Sequence, residues 1–201
     1  MSHKIQRINE YDDIRFPREV LLEHGAFLID DKYKCSFKIT SKNTAMVEFD
    51  KEINIEEVID EFRFYAEHIT KFYDINNKLI KSFPDIDIFK VSIKDIQPSQ
   101  FYVDESKVES VSSFIKSGDN IFIPLTKIND ELVSLDGHTR LYLATKRDYK
   151  QVYGFYTQEE DYIVDFVLEA KRRNVLTPYD LTILTHDEYK KKWNKFCNDF
   201  F

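Results

Sequence analysis

The sequence predicts an α+β protein in two unlike parts. A small N-terminal α+β domain over residues 1–84 has an antiparallel sheet covered by a helix, and a second α+β domain over 85–156 carries a helical extension over 157–201. Three patterns predict this. Tyr33, Cys35, Phe37 and Ile39 alternate with polar neighbours, as do Ala45, Val47 and Phe49, the period of a half-buried strand. Ile55, Val58, Ile59, Phe62, Ala66, Ile69 and Phe72 recur at the spacing of one helix face. From Ile88 onward, short apolar runs and helical stripes follow in the order strand, helix, strand, strand, helix, strand.

Each element has a local reason. Pro17 to His24 reads as a short helix, with proline at its first position and Gly25 just past its end. Ala26 to Ile29 joins the two alternating runs in the sheet, and Asn54 with Glu57 marks the capped start of the helix that covers it. Residues 75–87 are polar, contain Pro84 and lack a period, which places a domain boundary near Lys81 to Asp85. Ile88 to Ile93 reads as a strand, and Asp104 precedes a helix carrying Val108, Val111, Phe114 and Ile115 that Gly118 ends. Ile121 to Leu125 and Leu132 to Leu135 are strands, an Asp-Gly turn opens a helix to about Lys146, and Gln151 to Tyr156 is a further strand. Thr157 with Glu160 and Thr185 with Glu188 have capping-box spacing and open two helices. The first carries the stripe Ile163, Phe166, Val167 and Ala170, with Glu159, Glu160 and Asp161 as first-turn acids. The second carries Tyr189, Trp193, Phe196, Cys197 and Phe200, which makes Cys197 a core thiol and Lys190, Lys191, Lys192 and Lys195 the solvated edge.

Composition narrows the function classes. Of 201 residues, 42% are hydrophobic, enough to bury a core without staples. The two cysteines, Cys35 and Cys197, form no Cys-x-x-Cys pair and no zinc-spaced cluster, and read as reduced thiols. His3, His24, His68 and His186 lack a partner at metal spacing. The polar start from Met1 to Tyr11 is unlike a secretory signal, and no apolar run reaches the ~20 residues of a membrane span. A cytoplasmic protein with no membrane partner is expected. A net charge of −7 argues against nonspecific nucleic-acid binding, which draws its affinity from cations that neutralise phosphates.

The segment from Val133 to Leu141 carries the candidate chemistry. It joins a strand to a helix through Asp136 and Gly137, and the backbone N–H groups of the first helical turn favour an anion there. Arg140 is a cation at the positive end of the helix dipole, a placement that a bound phosphate would offset. Asp136 is the residue suited to hold Mg²⁺ or to orient a hydroxyl nucleophile, so it is both the candidate metal ligand and a candidate catalytic group. His138 is the second candidate catalytic group, as an acid or as a donor to a phosphate oxygen. Gly137, His138, Thr139 and Arg140 form the candidate phosphate cradle. The ordinary alternative is that Asp136 is a helix cap that pairs with Arg140.

Residues from about Val91 to Tyr156 resemble the ParB/sulfiredoxin-like fold, on Ile96-Gln97-Pro98-Ser99, the helix from Glu105 to Ser117, and Asp136-Gly137-His138-Thr139-Arg140. From Lys90 onward the chain also resembles small bacterial ParB-like proteins that share this turn and a Trp-Asn-Lys-x-Cys element, here Trp193 to Cys197. The resemblance leaves out residues 1–84. It implies a turn that cradles nucleotide phosphates, in a superfamily of sulfiredoxins, CTP-using chromosome-partitioning proteins and free serine kinases that use ADP or ATP. Sulfiredoxins read Gly-Gly-Cys-His-Arg, and their catalytic cysteine falls on His138, so sulfinic acid reduction is not implied. Of the Gly-Glu-Arg-Arg turn of partition proteins only Gly137 and Arg140 remain, and no helix-turn-helix domain is recognisable. The free serine kinase turn, Asp-Gly-His-His-Arg, is the nearest, with Thr139 in place of its second histidine. The catalytic glutamate of those kinases falls on Gln100, whose amide cannot accept a proton, although Asp104 and Glu105 lie nearby.

Three functions follow as expectations. The first is a Mg²⁺-dependent small-molecule kinase or nucleotide hydrolase that binds ATP, ADP or CTP and transfers phosphate to a small hydroxylated metabolite. The second is a non-catalytic regulatory module with a protein partner. The third, weighed lowest, is nucleic-acid binding.

Overall fold

The computed structural model describes residues 3–10, 12–50, 53–158 and 160–200. The chain is α+β and divides into two compact units, Met1–Ile86 and Asp87–Phe201.

The first unit is a six-stranded sheet in sequence order: β1 (Ile5–Arg7), β2 (Ala26–Ile29), β3 (Tyr33–Ser41), β4 (Thr44–Phe49), β5 (Lys71–Asp74) and β6 (Leu79–Ser82). Helix α1 (Arg18–Leu22) lies between β1 and β2 in the chain, and α2 (Ile55–Tyr65) between β4 and β5. Neighbours are antiparallel except β4 and β5, which are parallel because α2 supplies the crossover such a pair requires. Val58, Ile59 and Phe62 of α2 are buried in a core with Phe27, Phe37 and Phe72. Phe37 and Phe62 stack at 4.3 Å, while Phe27 and Phe72 meet both edge-on, the offset geometry that ring quadrupoles favour.

The second unit holds β7 (Ile88–Ser92), β8 (Ile96–Pro98), β9 (Tyr102–Asp104), α3 (Glu105–Ser112), β10 (Phe122–Ile128), β11 (Glu131–Ser134), α4 (His138–Lys146) and β12 (Gln151–Tyr156). Then follow α5 (Ile163–Arg172), β13 (Thr182–Leu184) and α6 (His186–Tyr189), which continues through a π-helical turn at Lys190–Asn194 into α7 (Lys195–Phe200). Five strands form a mixed sheet in the order β7-β12-β10-β11-β8, and β9 and β13 pair separately in parallel. The β10–β11 hairpin turns on Asn129 and Asp130, both at positive φ, the backbone a two-residue hairpin loop prefers and the residue types that tolerate it. Phe101 anchors the C-terminal helix, with Trp193 at 5.0 Å and Phe196 at 5.2 Å edge-on to its ring.

Several expectations need correction. The stripe starting at Ile55 leaves the helix at Tyr65, so Ile69 lies in a loop and Phe72 in β5, buried all the same. A strand that follows an amphipathic helix onto the same core continues its apolar spacing by coincidence of burial. Residues 75–87, which lack a period in the sequence, contain β6, and β8, β9 and β13 are elements without a sequence signal, being three residues each and defined by pairing. Helix α3 stops at Ser112 rather than Ser117. Helix α5 begins at Ile163 with Tyr162 before it, so Thr157 and Glu160 do not cap it; Glu159 lies outside the described residues. The Thr185–Glu188 box does form, with Thr185 accepting from Glu188 N–H. Cys197 is half-buried and free, and Cys35 is fully buried and free.

Gly25 is required for a reason other than ending α1. The left-handed residue that closes α1 is His24, at φ 56°, and Gly25 N–H donates to Val20 O at 2.9 Å behind it. A Cβ on Gly25 would stand 2.1 Å from the carbonyl oxygen of Phe37, whose own N–H donates to Gly25 O at 2.8 Å. Gly25→Ala should therefore force β2 and β3 apart and cost about 2–3 kcal/mol, read as a lower urea midpoint with an unchanged slope.

Candidate functional site

The Asp136–Arg140 turn sits where β11 ends and α4 begins. Gly137 is the residue before α4 and has φ 80°, a left-handed conformation costly for a residue with a Cβ. A Cβ there would also press on two side chains, at 2.7 Å from Ile123 Cδ1 and 3.2 Å from the Arg140 guanidinium. That guanidinium folds back over Gly137, donates to Phe122 O at 2.9 Å and stands 3.6 Å from Asp136 Oδ2. The Asp136 side chain is 76% exposed at the mouth of the turn and that of Arg140 27%. The structure thus brings Asp136, Gly137 and Arg140 together, with Thr139 half-buried beside them.

His138 is placed differently from the expectation. It is 4% exposed, and its Nε2 lies 3.2 Å from the backbone nitrogen of Ser99, 3.2 Å from Ser134 Oγ and 3.3 Å from Ser99 Oγ. A backbone N–H can only donate, so Nε2 is the unprotonated nitrogen. Ser99 Oγ in turn donates to Ser134 O at 2.7 Å. Burial drives the imidazole pKa down to about 4, with the Arg140 charge acting the same way and Asp136 and the Ser134 backbone opposing. The neutral, interior imidazole of His138 braces the ends of β8 and β11 to the start of α4, a placement less open to a ligand than the expected acid role requires.

A second cluster that sequence reasoning missed lies around β9. Leu184 pairs with Asp104 in the parallel β9–β13 ladder, so α3 and α6 start side by side. Asp104 is 2% exposed, caps α3 by accepting from Ser106 N–H at 3.0 Å and Ser106 Oγ at 2.7 Å, and lies 2.7 Å through Oδ2 from His186 Nδ1. Burial acts to raise its pKa, but the hydrogen bonds from His186 and Ser106 hold the carboxyl below its usual value. Gln100 donates its amide to Tyr102 O and, at 3.2 Å, contacts the hydroxyl of Tyr189. Burial pushes the Tyr189 phenol up, and both Asp104 and Asp136 act on it electrostatically. The Thr185–Glu188 box and the acids beside Gln100 are the sequence signals that point here; the Asp104–His186 contact spans 82 positions and has no local signature.

Metal ligation is sparse. Among the described residues no group of three or more His, Cys, Asp or Glu side chains could hold a metal ion. Asp136 alone would be the protein ligand of a cation that arrived with a phosphate, an ordinary arrangement for Mg²⁺. Elsewhere in this unit a cavity of about 330 Å³ is lined by Ser92, Lys94, Lys150, Gln151 and Tyr179, none of them a turn residue. Among the described residues no helix is long and apolar enough to cross a membrane.

The brace predicts a pH dependence. The His138 pKa is lowered on folding, from 6.5 to about 4. The unfolded chain therefore takes up the proton first as pH falls, so stability is full above pH 6.5 and declines through the window down to about 4. The loss totals roughly 3 kcal/mol over that window. Urea titrations at pH 7, 6 and 5 should show this slope in the wild type and lack that component in His138→Gln.

No family model matches the chain, and no curated protein matches it. Among solved structures it is similar to protein Atu1540 from Agrobacterium tumefaciens, at 16% sequence identity and a TM-score of 0.34, over 48% of this chain and 62% of that one. The chain spans less than two thirds of that protein's length, and a similarity of this size specifies neither a ligand nor a reaction.

Proposed function

We propose that this chain is a ParB-like nucleotide- or phosphate-binding protein that transfers phosphate from a Mg²⁺-bound nucleotide to a small hydroxylated metabolite. The observation that carries the reading is Gly137, left-handed and set before the nine-residue α4 with the Arg140 guanidinium folded over it. The N–H groups of His138 and Thr139 begin the helix and have no carbonyl within it to bond, so a phosphate oxygen suits them. Arg140 is close enough to exchange its weak contact with Asp136 for a bidentate phosphate contact. Asp136, released from that contact, would hold the Mg²⁺, which lowers the repulsion between the carboxylate and the phosphate. The resemblance of Ile96 to Ser99 and of Asp136 to Arg140 to ParB-like domains supports the same reading.

A second reading, a non-catalytic regulatory or protein-interaction module, draws on two observations. Arg140 already has partners in Phe122 O and Asp136, and the Gln100 amide is occupied by Tyr102 O and the Tyr189 hydroxyl. Nucleic-acid binding is the weakest reading, given the net charge of −7.

Binding and turnover separate the two main readings. A nucleotide that binds only the folded chain at about 100 times its Kd adds roughly 2.7 kcal/mol, a Tm rise of roughly 5–10 °C. That rise should appear with ATP, ADP or CTP in the presence of Mg²⁺ and vanish in Arg140→Ala relative to that variant's own Tm. An undiminished shift in Arg140→Ala rejects the turn as the binding site. Binding without product formation from any nucleotide favours the regulatory module.

A further inference from the structure

We propose that His186, oriented by the buried Asp104, is the proton acceptor of this site. It would take the proton from a hydroxyl group or water that attacks the terminal phosphate of a nucleoside triphosphate held at the α4 turn. The proposal rests on the phosphate-binding reading and adds to it the group that activates the acceptor.

The geometry is that of an oriented base. Asp104 Oδ2 fixes His186 Nδ1 at 2.7 Å, which makes Nδ1 the protonated nitrogen and leaves Nε2 with a basic lone pair. The carboxylate is itself held, since Oδ1 is taken up by Ser106 N–H and Oγ. A buried acid beside a histidine stabilises the imidazolium that forms when Nε2 gains a proton, as the third member of a nucleophile–base–orienter arrangement does. His186 is 51% exposed, so a substrate can reach it, and it faces Asp104, the one buried carboxylate among the described residues.

The dyad also belongs with the turn. Strand β9, which ends at Asp104, packs against both α4 and α6. Tyr189, three residues beyond His186, is acted on electrostatically by Asp104 and by Asp136 alike. Ser99 touches His138 of the turn while its neighbour Gln100 touches Tyr189, so one short segment joins the two clusters. Three neighbours are poorer acceptors, since His138 is interior, Gln100 has an amide and Asp104 has both oxygens engaged, and Asp136 is taken up in this reading by the cation.

In the step, the attacking oxygen forms a bond to the terminal phosphorus while the bond from that phosphorus to the bridging oxygen breaks. The proton of the attacking group passes to His186 Nε2, and the electron pair of the broken bond leaves on the nucleoside diphosphate. With water as acceptor the products are nucleoside diphosphate and inorganic phosphate.

The test uses the full chain with ATP and Mg²⁺, and measures binding by calorimetry before phosphate release. Wild type should bind and release phosphate. His186→Gln keeps a donor for Asp104 but has no basic nitrogen, and Asp104→Asn keeps an acceptor for the α3 cap; each should lower kcat by about 100-fold or more with Kd changed by less than about threefold. Asp104 acts as a positioning residue, and its signature is spectroscopic. In ¹⁵N spectra His186 should be protonated at Nδ1 in wild type and shift toward the Nε2–H form in Asp104→Asn. Full turnover in His186→Gln overturns the proposal, as does a wild type that binds ATP and releases no phosphate, or a His186 tautomer indifferent to Asp104→Asn. Failure of wild type to bind ATP removes the phosphate-site reading first and the proposal with it.

Discussion

The buried imidazole of His138 is the constraint on which the rest of the second unit depends. Taking a polar ring out of water costs several kcal/mol unless it finds hydrogen-bond partners, and here Ser99 N–H and the Ser134 hydroxyl meet its Nε2 while the Ser134 backbone supplies a further hydrogen bond. Those partners come from the ends of β8 and β11, which run parallel as neighbours at one edge of the sheet. Satisfying one ring therefore fixes where two strands stop and where α4 starts. With α4 pinned at its first residue, Gly137 is left to make the turn in a left-handed conformation, against the side-chain ends of Ile123 and Arg140. The shape of the candidate phosphate site follows from a core hydrogen-bond requirement.

The C-terminal helix is fastened to the same region by two different forces. The parallel β9–β13 ladder sets Leu184 against Asp104 and so delivers His186 to a buried carboxylate. Dispersion and ring geometry then hold the helix down, with Trp193 and Phe196 on Phe101 and both also against Phe166 of α5. The π-helical turn at Lys190–Asn194 adds a residue between Tyr189 and Phe196, letting Tyr189 reach Gln100 while Trp193 and Phe196 reach Phe101. Phe101 lies between Gln100 and Tyr102, so apolar packing and the polar cluster are set by adjacent residues of one strand segment.

The legible parts of the sequence were those whose cause is local. Strands β2 and β12 and helix α4 occupy the stretches read from their periodicity and their turn, and the stripe Ile163, Phe166, Val167 and Ala170 is buried as its spacing requires. Strands β8, β9 and β13 were illegible because three residues carry no period; they exist through partners far along the chain. The site divided in the same way. Asp136, Gly137 and Arg140 can be read together because they are neighbours, whereas the burial of His138 depends on Ser99, 39 positions away. Nothing in the local sequence distinguishes a histidine facing solvent from one facing a buried N–H group. The Asp104–His186 pair shows the same limit: Asp104 is legible as a helix start and as an acid near Gln100, but its contact with His186 spans 82 positions.

The most direct test of the α4 turn as a phosphate site is an amide NMR titration of the full chain with ATP and Mg²⁺, because backbone N–H groups are the proposed ligands. The account predicts that the largest shifts fall on the amides of Gly137, His138, Thr139 and Arg140, with smaller ones at Ser99 through the His138 brace. Shifts absent from these amides, or centred instead on Lys94, Lys150 and Tyr179 around the other cavity, would contradict it.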